Sequence, residues 1–343
     1  MKRLALLLTL FLGACAPQLQ PLGTDSVAPQ LLADRMIMND GAALPLRQWQ
    51  PAGEPKAVIL ALHGFNDYSF SFDAPAKSWA AAGIATFAYD QRGFGATDYR
   101  GLWPGEDRMM EDLRDAAALL RARYPATPLY LLGESMGGSV VMAAAASTAP
   151  PASDGLILAA PAIWGRETQG PIQSGALWLA AHTVPWAELT GEGLHIHPSD
   201  NIAMLRELGR DPLVIKETRV DAIYGLVNLM DLAYDAAPRL RGRALVLYGS
   251  REDIMPGSAI VATLRRLPAD AARRPRIAFY PKGYHMLLRD LDAATVRDDI
   301  AAWIADPAAP LPSGGDAVAA QVLATDDEDD DSLKAELPAI AGQ

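Results

Sequence analysis

Leu129-Tyr130-Leu131-Leu132-Gly133-Glu134-Ser135-Met136-Gly137-Gly138 is the stretch that decides the fold. A short apolar run ends in Gly-x-Ser-x-Gly, and residues 139–147, Ser-Val-Val-Met-Ala-Ala-Ala-Ala-Ser, form helix readily. The pattern predicts strand, sharp turn and helix, with Ser135 at the apex. A strained turn of this kind brings the strand and helix backbones close together, so it needs residues without bulk on either side of the serine. Gly133 and Gly137 meet that need, and Gly138 adds room. The turn pushes the Ser135 hydroxyl out of the sheet and sets the Met136 N–H at a helix N-terminus, where developing negative charge is stabilised. A bare Gly-x-Ser-x-Gly also arises in ordinary Gly/Ser-rich turns; the correct flanks on both sides make this one read as a nucleophile elbow.

Outward from the elbow, apolar runs alternate with helical patterns. Residues 36–38 and 44–49 read as a hairpin around Asn39-Asp40-Gly41. Lys56 opens a continuous apolar run over 57–62, as expected of a strand buried on both faces of a parallel sheet, which leads into His63-Gly64-Phe65-Asn66-Asp67. Residues 78–82 read as part of a helix and 84–89 as a strand. That strand ends in Asp90-Gln91-Arg92-Gly93-Phe94-Gly95. A helix follows over 107–123, stopped by Pro125, and a further strand centres on 156–158. After Pro161 the rhythm breaks. Residues 162–240 show no clear strand, scattered tryptophans (Trp164, Trp178, Trp186) and amphipathic stretches at 202–208 and 220–232, which reads as an inserted helical cap. Strands at 244–248 and 276–280 and helices near 257–267 and 293–304 restore the alternation. The fold class is therefore α/β, a mostly parallel sheet covered on both faces, with core segments 34–161 and 241–305 around a cap at 162–240.

The termini read differently. Met1-Lys2-Arg3 followed by apolar residues 4–12 is a targeting segment, too short to span a bilayer as a stable helix. Leu12-Gly13-Ala14-Cys15 resembles a bacterial lipoprotein signal (residues 1–14), which implies cleavage before Cys15 and lipid on its sulfur. Alanine at position 16 suits the outer membrane of a bacterial envelope, with the protein facing the periplasm. Cys15 is the sole cysteine, so neither an intrachain disulfide nor a cysteine-based metal site is available. Residues 15–33, rich in Pro and Gln, are expected to be a tether. Residues 306–343 carry nine acids and one lysine and include the six-acid run 326–331, which reads as a disordered, solvated tail. Without that tail the chain is nearly charge-balanced, and nothing in it resembles a nucleic-acid-binding stripe.

A serine alcohol is a weak nucleophile until a base takes its proton and a third group orients the base. In this fold class the chain order is serine, acid, histidine. His285 is the histidine that follows the elbow once the sheet resumes. It sits in a loop just beyond the last strand, where Gly283 permits a tight bend. The acid belongs at the end of the strand at 244–248, in Gly249-Ser250-Arg251-Glu252-Asp253-Ile254-Met255-Pro256, where two carboxylates are adjacent and only one can point at His285.

Taken together, His63-Gly64-Phe65, 90–95, the elbow, 249–256 and Gly283-Tyr284-His285-Met286 resemble the monoacylglycerol lipase/lysophospholipase group of α/β-hydrolases, which overlaps the serine aminopeptidase-like hydrolases. The resemblance covers roughly residues 35–305. It implies Ser135 as nucleophile, His285 as base, and an oxyanion hole from the Met136 and Phe65 N–H groups. The acid loop departs from the family pattern, which has aspartate where both landmarks, Gly249 and Pro256, here place Glu252. Glu252 is the preferred acid, and Asp253 is the alternative. Glu134 reads as a helix-start carboxylate and 90–92 as a brace near the elbow. His195 and His197 have the spacing of a two-ligand metal clip, but no acid or cysteine cluster completes it, so an exposed cap loop is the better reading. No metal or organic cofactor is required. The resemblance implies hydrolysis of lipid-derived esters. The same triad would also serve a thioesterase, acyltransferase or peptidase, and the rival class is a non-catalytic envelope lipoprotein that binds lipid or a protein partner.

Overall fold

The computed structural model describes residues 16–24, 26–193, 195–270 and 274–324. Along the chain, β1 (Gln30–Leu31), β2 (Arg35–Ile37) and β3 (Ala43–Trp49) form an antiparallel edge. Gly41 closes the β2–β3 turn at φ +83°, a conformation that favours glycine. Then β4 (Ala57–Leu62), α1 (Asp73–Ala81), β5 (Ile84–Tyr89), α2 (Glu106–Arg123), β6 (Leu129–Glu134), α3 (Met136–Ala145) and β7 (Gly155–Ala159) follow in strict alternation. Every residue of β4, β5, β6 and β7 is buried, which is why these strands read as unbroken apolar runs. Helix α1 begins five residues before the predicted stretch, because its first turn carries Asp73 and Pro75, which suit a helix start.

The cap contains α4 (Pro171–Ala181), β8 (Glu188–Leu189), α5 (Ile202–Arg210), β9 (Thr218–Arg219) and α6 (Val220–Ala236). The expectation of no strand in this region needs correction, since β8 and β9 pair antiparallel, although each is only two residues long. The sheet then resumes with β10 (Ala244–Gly249), α7 (Gly257–Arg266), β11 (Arg276–Tyr280) and α8 (Ala293–Ala305). The nine strands of the main sheet run in the order β1-β2-β3-β5-β4-β6-β7-β10-β11, parallel from β5 to β11. This is the α/β-hydrolase arrangement. It sets the ends of β4, β6, β10 and β11 along one edge of the sheet.

Both expected tails differ from their sequence reading. Within the expected tether, the Gln20 backbone N–H and side-chain amide donate to the Trp103 and Leu102 carbonyls at 2.9 and 2.7 Å. The Gln18 N–H donates to Asp221 of α6 at 3.2 Å. Glutamines suggest a solvated linker by composition, but here their polar atoms are satisfied by the body. At the other end, residues 306–324 do not form a free tail. Helix α9 (Gly315–Ala324) packs on β11 and buries Ala319 and Val322, while Leu311 enters the core. Asp299 of α8 accepts the Ser313 N–H and hydroxyl at 3.0 and 2.5 Å. Apolar side chains three residues apart on one short helix sufficed to dock a segment whose overall composition pointed to disorder. Cys15 and the six-acid run 326–331 lie outside the described residues.

Candidate active site

Ser135 links β6 to α3 with φ +51° and ψ −118°, a left-handed conformation that a non-glycine residue adopts only under constraint. Such strain costs about 1–3 kcal/mol. The end of β7 holds it in place: the Ser135 N–H donates to the Ala159 carbonyl at 3.0 Å, and the Ser135 carbonyl accepts from Ala162 N–H at 3.0 Å. The flanking glycines are required by close approach. A Cβ at Gly133 would collide with the Gly137 carbonyl, and one at Gly137 with the Leu62 carbonyl.

Two further segments converge on the serine. The loop after β4 passes so near that a Cβ at Gly64 would lie 3.4 Å from Ser135 Cβ, which puts Phe65 beside the nucleophile. That loop is braced from behind. His63 Nδ1–H donates to the Gly64 carbonyl at 2.8 Å, so Nε2 is free to accept the Gln91 N–H at 2.9 Å. The Gln91 side chain returns a bond to the His63 carbonyl at 2.8 Å. Burial drives the His63 pKa down, which keeps the ring neutral and suited to this pair of bonds. Asp90 accepts Ser69 N–H and Ala96 N–H, and Arg92 is buried between Asp40 and Asp112. Residues 90–92 therefore act as scaffold for the loop that carries Phe65. Met136 is the first residue of α3, so its N–H lies outside the intrahelical ladder.

The loops after β10 and β11 meet through Gly249 and Gly283. Arg251 N–H donates to the Gly283 carbonyl at 2.9 Å, and Ser250 N–H to the Tyr280 carbonyl at 2.9 Å. A Cβ at Gly283 would stand 2.5 Å from the Leu287 side chain, so close packing explains this glycine. The two loops bring together the groups that the sequence placed far apart. His285 Nε2 lies 2.8 Å from Ser135 Oγ, and His285 Nδ1 lies 2.7 Å from Glu252 Oε2. Glu252 Oε1 accepts the Ile254 and Met255 N–H groups at 2.7 and 3.1 Å, which locks the carboxylate in one orientation. Asp253 turns away toward the cap, where its Oδ2 accepts the His197 N–H at 2.9 Å. The extra methylene of glutamate thus reaches the imidazole, and the adjacent aspartate does not.

The electrostatics suit a base poised beside an alcohol. Burial opposes ionisation of Glu252, but the imidazole and the two N–H donors outweigh it and hold the carboxyl below its ordinary pKa. Burial likewise opposes an imidazolium at His285. The facing Glu252 carboxylate outweighs that penalty, and the His285 pKa lies above its ordinary value. With Nδ1–H committed to Glu252, Nε2 is free to accept the Ser135 proton. Such a constellation can generate an alkoxide-like nucleophile and return the proton to a leaving group.

Three features were not foreseen. Glu134, read as a helix-start carboxylate, is fully buried at the end of β6, and burial raises its pKa. Its Oε2 lies 3.4 Å from the Arg289 guanidinium, which pairs with Asp67 at 2.7 Å. Asp290 accepts the Ser199 hydroxyl and the Tyr284 N–H. No motif marked Arg289 or Asp290, since both act across the cap boundary. His195 and His197 are exposed, and His197 lies 3.5 Å from Asp253. Among the described residues no group of three His, Cys, Asp or Glu side chains is arranged to hold a metal ion.

The chain is similar to known proteins. The family described as serine aminopeptidase, S33, matches residues 53–292. A monoglyceride lipase of Rattus norvegicus is 26% identical over 290 residues, covering 83% of this chain and 94% of the relative. A monoacylglycerol lipase of Mycolicibacterium smegmatis is 23% identical and covers 75% and 90%. Among solved structures, a soluble variant of monoglyceride lipase from Saccharomyces cerevisiae superposes with a TM-score of 0.66 at 19% identity, covering 83% of this chain and 96% of that one. A carboxyl esterase from Bacillus coagulans gives 0.65 at 18%, covering 82% and 99%.

Proposed function

Because this chain belongs to the serine aminopeptidase, S33, family of α/β-hydrolases, we propose that it hydrolyses lipid-derived carboxylic esters, of the monoacylglycerol or lysophospholipid type, through an acyl-enzyme on Ser135. The observation that carries the reading is the continuous relay from Ser135 Oγ through His285 to Glu252, with links of 2.8 and 2.7 Å. Ser135 attacks the ester carbonyl as His285 Nε2 takes its proton. Glu252 holds the Nδ1–H tautomer and stabilises the imidazolium. The tetrahedral oxyanion is bound by the Phe65 and Met136 N–H groups. His285 then protonates the departing alcohol, the acyl group remains on Ser135 Oγ, and the alcohol leaves. Water, deprotonated by the same imidazole, attacks the acyl-enzyme; the carboxylic acid departs and Ser135 recovers its proton.

The substrate class is supported by the names of the relatives and by the apolar cap. The cap leaves Trp178, Leu179 and Trp186 about half exposed. The sequence Leu12-Gly13-Ala14-Cys15 supports lipidation of Cys15 and attachment to the bacterial envelope, the outer membrane in particular. A mass spectrum of the membrane-extracted protein tests that attachment: a lipidated N-terminal Cys15 is expected, and a chain still beginning at Met1 refutes it.

The test of the chemistry pairs a fluorophosphonate probe with a panel of acyl esters of graded chain length. The expected result is one label on Ser135, none on the Ser135→Ala protein, and turnover of monoacylglycerols or lysophospholipids. Absence of label would leave a non-catalytic binding protein. A label with turnover confined to thioesters or peptides would redirect the triad to those substrates.

A further inference from the structure

His285 sits in an irregular stretch between β11 and α8, so no regular hydrogen-bond ladder fixes its main chain. Productive triads nevertheless need their groups held to within roughly half an ångström. Besides turn bonds within the loop and the Arg251–Gly283 contact, two bonds hold the residues on either side of His285. Asp290 Oδ2 accepts the N–H of Tyr284, the residue before His285, at 2.7 Å. The carbonyl of Pro198, in the cap, accepts the N–H of Met286, the residue after it, at 2.9 Å. Asp290 then joins the two restraints, because its Oδ1 accepts the Ser199 hydroxyl at 2.5 Å.

The neighbours of Ser199 extend the seam. Asn201 Nδ2–H donates to the Arg289 carbonyl at 2.9 Å, and its backbone N–H to Ser199 Oγ at 3.1 Å. Asp200 Oδ1 accepts the Leu291 N–H at 2.9 Å. At the far end, the His197 N–H binds Asp253, the residue after Glu252. Ser199 and Asp290 are both buried, so water does not compete for their bond. The charged groups around Asp290 are Asp200, Glu134 and Arg289, with His285 close by; burial, with the two carboxylates, pushes Asp290 up to about 6.

We propose that Asp290 is a positioning residue which pins the main chain of the His285 loop and, through Ser199, makes the alignment of the imidazole depend on how cap segment 197–201 is seated. Asp290 does not touch the reacting atoms. It acts through the Tyr284 peptide, and the cap acts through Asp290 and the Met286 peptide. A substrate or surface that moves this part of the cap therefore alters the reactivity of Ser135, and not only access to it.

This inference rests on the esterase reading, and the experiment separates the two. Fluorophosphonate labelling rates, and kcat and KM for p-nitrophenyl acetate, are measured on the wild-type protein and on Ser199→Ala, Asp290→Ala, Asp290→Asn and the double alanine variant. Asp290→Ala is expected to slow labelling and kcat by about 10- to 100-fold with KM within about twofold, the pattern of a misaligned base. Ser199→Ala should lose about 3- to 10-fold. The double variant should match Asp290→Ala, because Ser199 acts through the same carboxylate. Asp290→Asn should recover most activity, since its amide oxygen accepts the Tyr284 N–H and its NH₂ donates to Ser199 Oγ. An unlabelled wild-type protein would sink the esterase reading itself. A labelled wild-type protein, with folded Ser199→Ala and Asp290→Ala proteins that react at its rate, overturns this inference alone. Multiplying effects in the double variant also overturn it. If Asp290→Ala fails to fold, wild-type rates in Ser199→Ala still overturn the proposal.

Discussion

At the end of the sheet, Ser135, His285 and Glu252 lie on three loops, His285 and Glu252 buried, that are fixed by main-chain hydrogen bonds and by glycines that admit close backbone contact. In the cap, α4 buries only Ala181 among its eleven residues and leaves Ile172 88% exposed. The two regions use apolar residues in opposite ways. In the first they fill a close-packed core around the loops. In the second, α4 turns much of its apolar surface outward, while α6 packs into the core and segment 197–201 bonds to the loop that carries His285. The reacting groups thus lie in the closely packed part, and the exposed apolar side chains lie on the loosely packed helix α4.

The contrast can be broken most severely at the triad. Ser135→Ala or His285→Ala should lower kcat by about 10⁴-fold or more with little change in thermal stability, as measured by ester turnover beside calorimetry. Glu252→Gln should cost about 10³- to 10⁴-fold, because the amide can present N–H to Nδ1 and so favour the wrong tautomer. Its pH profile gives a second reading. The base must be neutral to act, so kcat/KM of the wild-type enzyme falls as pH drops through the raised His285 pKa. Removing the carboxylate that raises that pKa should move the acid limb to lower pH. An unmoved limb would mean that another group holds the imidazole.

Stability sharpens the same comparison. Leu131→Ala, in the centre of β6 with no exposure, should cost about 2–5 kcal/mol in urea unfolding. Leu179→Ala, at 56% exposure in α4, should cost no more than about 0.5 kcal/mol. Equal costs would show that the cap is as tightly packed as the sheet. The smallest effect belongs to Asp253→Asn, which should retain activity within about threefold, since Asp253 faces His197 and not the imidazole.

The strands and the elbow were legible because parallel strands buried on both faces must be apolar throughout, and because the turn at Ser135 admits only glycine at 133 and 137. Glu252 could be preferred because the pattern of the resembled family, counted from Gly249 and from Pro256, sets the acid at its position. What escaped reading was polar and long-range. Gln18 and Gln20 resembled linker residues, yet they bond to α6 and to the loop before α2. Residues 306–324 were read with the acidic run beyond them as a Pro-, Gly- and Ala-rich tail, yet Leu311, Ala319 and Val322 pack into the core beside β11. Asp290 and Ser199 lie 91 residues apart, and neither carries a local pattern that announces the other. Periodicity reports burial within one element, whereas a hydrogen bond between elements leaves no periodic trace.

The relay and its oxyanion site are tested most directly by a crystal structure of the protein after reaction with a fluorophosphonate. The account predicts phosphorus bonded to Ser135 Oγ, its oxygen about 2.7–3.1 Å from the N–H groups of Phe65 and Met136, and the His285 ring still bridging to Glu252. An adduct on another residue, or a phosphonyl oxygen turned to solvent away from both N–H groups, would contradict it.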